Sequence, residues 1–179
     1  KTYEKKRQAF RNAKRILNHT KANLIKIEIN KKKLVILDYL SKKNINVIAH
    51  IGVTPQSYRD FRKIKVSGKT EQEKFNLIKL ALDAEKSGAK ALLLECVALD
   101  VAKKITETVS IPCIGIGSSK YCDGQILVFD DLINLSLNSY KPKFIKNFMN
   151  FELLIKQAVT KYKNQINSKK FPGKNNTYK

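Results

Sequence analysis

AHIGVTPQS, residues 49–57, is an apolar run that stops abruptly at a Thr-Pro-Gln-Ser cluster. ALLLEC at 91–96 and IPCIGIGSSKYCDGQ at 111–125 repeat the pattern, each apolar stretch ending in ionisable, polar or Gly-rich residues. A strand buried on both faces reads as a continuous apolar run, and parallel α/β folds gather functional groups at the carboxyl ends of such strands. Three such blocks in one chain predict a parallel sheet with a site along one edge.

Outward from these blocks, strands and helices alternate. Residues 3–19 place Ala9, Phe10, Ala13, Ile16 and Leu17 on one helical face. Residues 23–29 read as a buried strand, 32–43 as a helix carrying Leu34, Leu37 and Leu40, and 45–51 as a second strand. Thr54 and Pro55 form an N-cap and first-position pair that opens a short helical turn. Thr70 and Glu73 predict a capping box for a long helix through Phe75, Ile78 and Leu82, ended by Gly88. A third strand at 91–96, a helix at 99–108, a fourth strand at 111–117 and a brief fifth at 126–129 follow. The stretch 130–143 is mixed in character, 151–166 predicts a further helix, and 169–179 reads as a polar, mobile tail. This alternation argues a parallel α/β arrangement, either an open doubly wound sheet or part of a (β/α)8 barrel. No GxGxxG follows the first strand, so a dinucleotide-binding fold gains no support.

Composition narrows the classes. A chain of 179 residues has the length of one domain and can bury a real core. No run approaches the roughly 18 apolar residues of a membrane helix, and the charged start KTYEKKRQAF has no apolar leader segment. Cys96, Cys113 and Cys122 lack CxxC spacing and are odd in number, which fits free thiols in a reducing cytoplasm. A net charge of +21 points at first to nucleic acid. Lys dominates it, however, and Arg is confined to Arg7, Arg11, Arg15, Arg59 and Arg62. Arg is the better fork for phosphate, so the excess reads as solvated Lys faces. A basic nucleic-acid-binding module remains the alternative of another class, without an RRM, zinc-finger or helix-turn-helix signature.

Several residues can carry chemistry. Glu95 ends the run ALLL, which delivers a carboxylate to the carboxyl edge of a strand, either as a general base or as the partner of a surface Lys. Lys26 and Glu28 alternate along the first strand and share one face, which in a barrel is the lumen; an isolated K-x-E is otherwise most often a surface ion pair. His50 closes the second strand just before Gly52, as a pocket residue or a satisfied structural one. Thr54, Gln56 and Ser57 shape the loop that follows. The loop after the fourth strand either presents backbone N–H groups to an anion or is a tight connection relying on Gly115, Gly117 and Gly124. Cys96 and Cys113 read as small core residues within strands.

Taken together and in order, the three blocks resemble ketopantoate hydroxymethyltransferases, and the resemblance runs from Tyr3 to Phe171. It implies a (β/α)8 TIM barrel of the phosphoenolpyruvate-binding type with the last five strands present, a catalytic domain over 1–168 and a tail over 169–179. The implied reaction transfers a hydroxymethyl group from 5,10-methylenetetrahydrofolate to 3-methyl-2-oxobutanoate, giving 2-dehydropantoate, with Mg²⁺ as cofactor. In that scheme Glu95 abstracts the substrate proton, Lys26 meets the keto acid's carboxylate with His50 at the pocket rim, and Glu28 serves the metal. The same resemblance implies a cytoplasmic homo-oligomer, decameric in the family, with small-molecule substrates, no specific nucleic acid and no membrane. Departures are visible. Ile29 and Asn30 stand where the family usually has two glycines, Ser118 and Ser119 where it carries Gly and Ala, and Asp130 where it commonly has His. An enzyme of the phosphoenolpyruvate mutase or isocitrate lyase group is the nearer alternative. A truncated product without catalysis is the other.

Overall fold

The computed structural model describes residues 2–57, 64–135 and 141–178. They fall into two compact units, Lys1–Ile126 and Leu127–Lys179. In the first, α1 (Lys6–His19) precedes β1 (Ile25–Glu28), α2 (Leu34–Ser41), β2 (Val47–Gly52), α3 (Glu71–Lys86), β3 (Ala91–Glu95), α4 (Leu99–Thr108), β4 (Cys113–Ile116) and β5 (Gly124–Gln125). The second holds the short α5 (Phe129–Leu132) and α6 (Phe151–Asn167).

The strands form one five-stranded sheet in the order β1-β2-β3-β4-β5, every pair parallel. That order decides between the two architectures left open by the sequence. A doubly wound sheet reverses its strand order at a switch point, whereas a barrel adds each strand beside the last. This sheet is a sector of a (β/α)8 barrel. One connection departs from the repeating pattern: β4 reaches β5 through the loop 117–123, with no helix between them.

One face of the sheet packs under the helices. Ile27, Val47, Ala49, Ile51, Leu92 and Leu94 supply it, all at most 5% exposed. Helix faces answer with small or aliphatic residues: Ala9 and Ala13 of α1, Leu37 and Leu40 of α2, Ala81 and Ala84 of α3, Val101 and Ile105 of α4. The capping box at α3 forms in full. Thr70 accepts from the Glu73 N–H, and the Glu73 carboxylate accepts from the Thr70 N–H. Gly88, at φ +91°, follows that helix.

Three expectations change. The fifth strand is Gly124–Gln125 rather than 126–129. Pairing beside β4 requires Gln125 to sit against Gly115, where an added Cβ would meet the Gln125 side chain at 2.9 Å. The apolar run after it lies largely in solvent and turns into α5 at Phe129. Phe75 is 62% exposed, so it does not belong to the buried stripe of α3. Cys96 lies beyond the end of β3, in a left-handed conformation with φ +49°. It is buried there as a turn residue, whereas Cys113 is a buried strand residue as expected.

Candidate functional site

Register brings the sequence-predicted residues to one face. Glu28 sits beside His50, and Gly52 beside Glu95. Side chains alternate along each strand, so Lys26, Glu28, His50 and Glu95 all point away from the helix-covered face. Glu28 and His50 are nonetheless buried, at 6% and 1% exposure, together with Leu93 and Ile116. Lys26 lies one step earlier on β1, beside Ile48, and is exposed.

His50 Nε2 approaches Glu95 Oε2 to 3.1 Å. The approach is close but not aligned as a hydrogen bond, and among the described residues both ring nitrogens lack a hydrogen-bond partner. Buried polar atoms are rarely left so.

Glu28 is held from above. Its Oε1 accepts from the Gln56 backbone N–H at 3.2 Å, at the 3-10 turn Pro55–Ser57. The Gln56 side chain accepts in turn from the Tyr3 hydroxyl at 2.9 Å. Burial pushes the Tyr3 phenol above its ordinary range, a backbone hydrogen bond at Glu28 pulls the other way, and the Glu28 charge adds to the rise. Lys33 Nζ lies 4.4 Å from the centre of the Tyr3 ring. The chain before α1 thus reaches the turn that covers Glu28.

The end of β3 is built with little slack. Gly52 adopts φ +93°, and a Cβ on it would lie 2.4 Å from the Glu95 carbonyl oxygen. That oxygen accepts from the Val53 N–H at 2.9 Å. Cys96 then takes its left-handed turn, a backbone state that non-glycine residues hold only when their surroundings over-determine it. Burial, with the Glu95 charge second, pushes the Cys96 thiol up to about 11. The loop after β4 uses its own polar groups: Tyr121 N–H donates to Ser119 Oγ and Cys122 N–H to the Ser119 carbonyl. Those two N–H groups serve the tight connection and are not open to an anion.

Among the described residues, no group of three His, Cys, Asp or Glu side chains lies close enough to hold a metal ion. Among the described residues Glu28 is the one buried carboxylate, a hard oxygen donor of the kind magnesium takes. Asp130 lies on α5 in the second unit. Sequence reading missed Tyr3 and Gly52 as parts of the site. The only local signals were a Tyr outside the α1 periodicity and a Gly directly after an apolar run.

Comparison with known proteins identifies the family. Residues 1–174 match the ketopantoate hydroxymethyltransferase family. The chain is similar to the 3-methyl-2-oxobutanoate hydroxymethyltransferases of Aliarcobacter butzleri (40% identity) and Pelagibacter ubique (42%), in each case over 99% of its length. A counterpart from Helicobacter pylori is 37% identical over the same share. The alignments cover 65%, 67% and 65% of those relatives, so the chain spans about two thirds of their length. With a parallel barrel sector, a matched span of nearly the whole chain and relatives at this identity, the chain belongs to the ketopantoate hydroxymethyltransferase family.

Proposed function

We propose that this chain carries the proton-abstracting half of hydroxymethyl transfer from 5,10-methylenetetrahydrofolate to 3-methyl-2-oxobutanoate. The observation that carries the reading is the juxtaposition of a buried, unpartnered His50 with the Glu95 carboxylate, 3.1 Å away at the end of β3. Removing a proton from the carbon next to a ketone needs a base within reach and a way to hold the acid's negative ends. Glu95, with its side chain 17% exposed, takes the proton from C3. Lys26, exposed on the same face, meets the keto acid's carboxylate. His50 bonds to a substrate oxygen through a ring nitrogen that has no hydrogen-bond partner among the described residues. The enolate so formed attacks the one-carbon unit of the folate.

Glu28 is the residue that would ligate Mg²⁺, contributing one hard oxygen to a site that uses one or two carboxylates plus substrate. When bound, the metal supplies Lewis-acid polarisation of the keto acid. The Tyr3–Gln56 contact holds the turn over Glu28 and keeps its carboxylate aimed. The same reading extends to a cytoplasmic homo-oligomer acting on small molecules. Among the described residues, no helix is long and apolar enough to cross a membrane.

The test isolates proton abstraction. In the protein completed to its relatives' length, exchange of the C3 hydrogen of 3-methyl-2-oxobutanoate with deuterated water is followed by NMR without folate. Glu95→Gln should bind the keto acid yet lose exchange by on the order of 10² to 10⁴. Exchange near the wild-type rate would pass the base role to another residue, His50 first.

A further inference from the structure

We propose that Ser118 is the positioning residue for the Glu95 carboxylate, a hydroxyl latch on the turn that carries it. Ser118 Oγ donates to the Leu94 carbonyl at 2.7 Å and accepts from the Val97 N–H at 3.2 Å. One side chain from the loop after β4 thereby bridges the backbone on both sides of Glu95 and Cys96. Cys96 is the residue in the left-handed conformation, so the latch closes over the most strained step of the turn.

In this chain the Glu95 turn receives an outside constraint from a hydroxyl that the Gly and Ala of the family pattern lack. Among the described residues, no aligned hydrogen bond reaches the Glu95 carboxylate, since the His50 contact is close but misdirected. The aim of the side chain is therefore inherited from its backbone. Other bonds to this backbone come from main chain alone: Val53 N–H to the Glu95 carbonyl, Cys96 N–H to Ile116 and Ser67 N–H to the Cys96 carbonyl. Ser118 adds two side-chain hydrogen bonds to the turn, the only ones there among the described residues, and they tie β3 to the loop of the next strand. A hydroxyl satisfies both backbone groups at once because it donates one hydrogen bond and accepts others. Alanine can do neither, and the buried Val97 N–H would be left without this acceptor.

This inference rests on Glu95 being the base, and the experiment separates the two claims. Ser118→Ala, Ser118→Thr and Glu95→Gln are compared in the protein completed to its relatives' length, by C3 hydrogen exchange below each variant's unfolding transition. Ser118→Ala should slow exchange at saturating keto acid roughly 10- to 100-fold, the scale set by misplacing a reacting group by about an ångström. Half-saturation should stay within about twofold, because ground-state binding is untouched. Ser118→Thr, which keeps the hydroxyl, should restore the rate. Loss of exchange in Glu95→Gln alongside an unimpaired Ser118→Ala overturns the latch and leaves the base in place. Undiminished exchange in Glu95→Gln overturns the base and this proposal with it. A second measurement uses the chain as it stands: amide hydrogen exchange at Val97 should be at least about tenfold faster in Ser118→Ala. An unchanged Val97 amide overturns the latch whatever the kinetics. Should Ser118→Ala fail to fold, Ser118→Thr against Ser118→Val gives the same comparison, two residues of one shape differing in the hydroxyl.

Discussion

Gly52 and Glu95 meet across β2 and β3 with no room for a side chain on Gly52, whose added Cβ would lie 2.4 Å from the Glu95 carbonyl oxygen and 2.6 Å from Val97 Cγ2. Both obstacles belong to the turn that carries the proposed base. Gly52 also adopts φ +93°, where a Cβ is strained whatever the space. Gly52→Ala should therefore destabilise the chain by roughly 1–3 kcal/mol, the usual range for overpacking a filled core. Urea unfolding measures it as a lower midpoint at constant slope. A midpoint equal to wild type would mean that β2 can retreat from β3 at low cost.

His50 predicts the opposite sign. A buried ring with two unpartnered nitrogens costs the fold their desolvation, and replacing it with an apolar group of similar size removes that cost. His50→Leu should raise stability by about 1 kcal/mol while abolishing any bond to a substrate oxygen. The expected signature is a higher unfolding midpoint with weaker keto acid binding in the completed protein. A destabilised His50→Leu would show that the ring has a partner in solution.

Tyr3→Phe removes the hydroxyl that holds Gln56 over Glu28 and should cost about 1 kcal/mol near neutral pH. The pH dependence has a definite sign. The folded phenol lies above its ordinary value of 10.0, so the folded state binds the proton more tightly. Its contribution is fully present below the unfolded value and is lost as pH rises through the folded one. Above pH 10 the stability gap between wild type and Tyr3→Phe should narrow. A gap that stays constant to higher pH would place the phenol outside the buried contact.

Thr70→Ala breaks the capping box at the start of α3 and should cost about 1 kcal/mol, within the 0.5–2 kcal/mol typical of such caps. Thermal or urea unfolding reads this directly. Glu73→Gln can still accept from the same N–H groups and should lose less.

The cap also shows what a sequence displays and what it hides. Thr70 and Glu73 announce α3 to within a residue because a cap is local chemistry, complete within four positions. The helix at 99–108 is legible for the same kind of reason, from its own apolar spacing. The fifth strand was misplaced because ILVF has every local feature of a strand, while the partner that decides register is Gly115, remote along the chain. Glu95 and His50 could each be picked out by ending an apolar run. Their approach to 3.1 Å depends on a register between β2 and β3 that neither run contains. Ser118 stood out as a departure from the family pattern, but its two bonds to β3 could be seen only once the loop was folded over that strand.

Thiol chemistry offers a further check. Cys96 is pushed up to about 11 and Cys113 to about 12, in both cases first by burial. The thiolate is the nucleophile, so alkylation of both at pH 8 should be far slower than that of an unfolded-chain thiol. Mass spectrometry after timed iodoacetamide exposure follows each site. Rapid labelling of Cys96 under native conditions would show that the Glu95 turn opens readily.

Among the described residues, each strand of the sheet pairs with its neighbours in the chain. A ribosome releasing this polypeptide therefore exposes each of β2 to β5 after the strand it pairs with here. Short closures of this kind cost less entropy before contacts form. The Glu95 turn differs, since the hydroxyl proposed to latch it belongs to Ser118, in the loop after the next strand. During synthesis the proposed base would stay unaimed until the fourth strand has docked, so the chemistry matures one strand later than the residue that performs it.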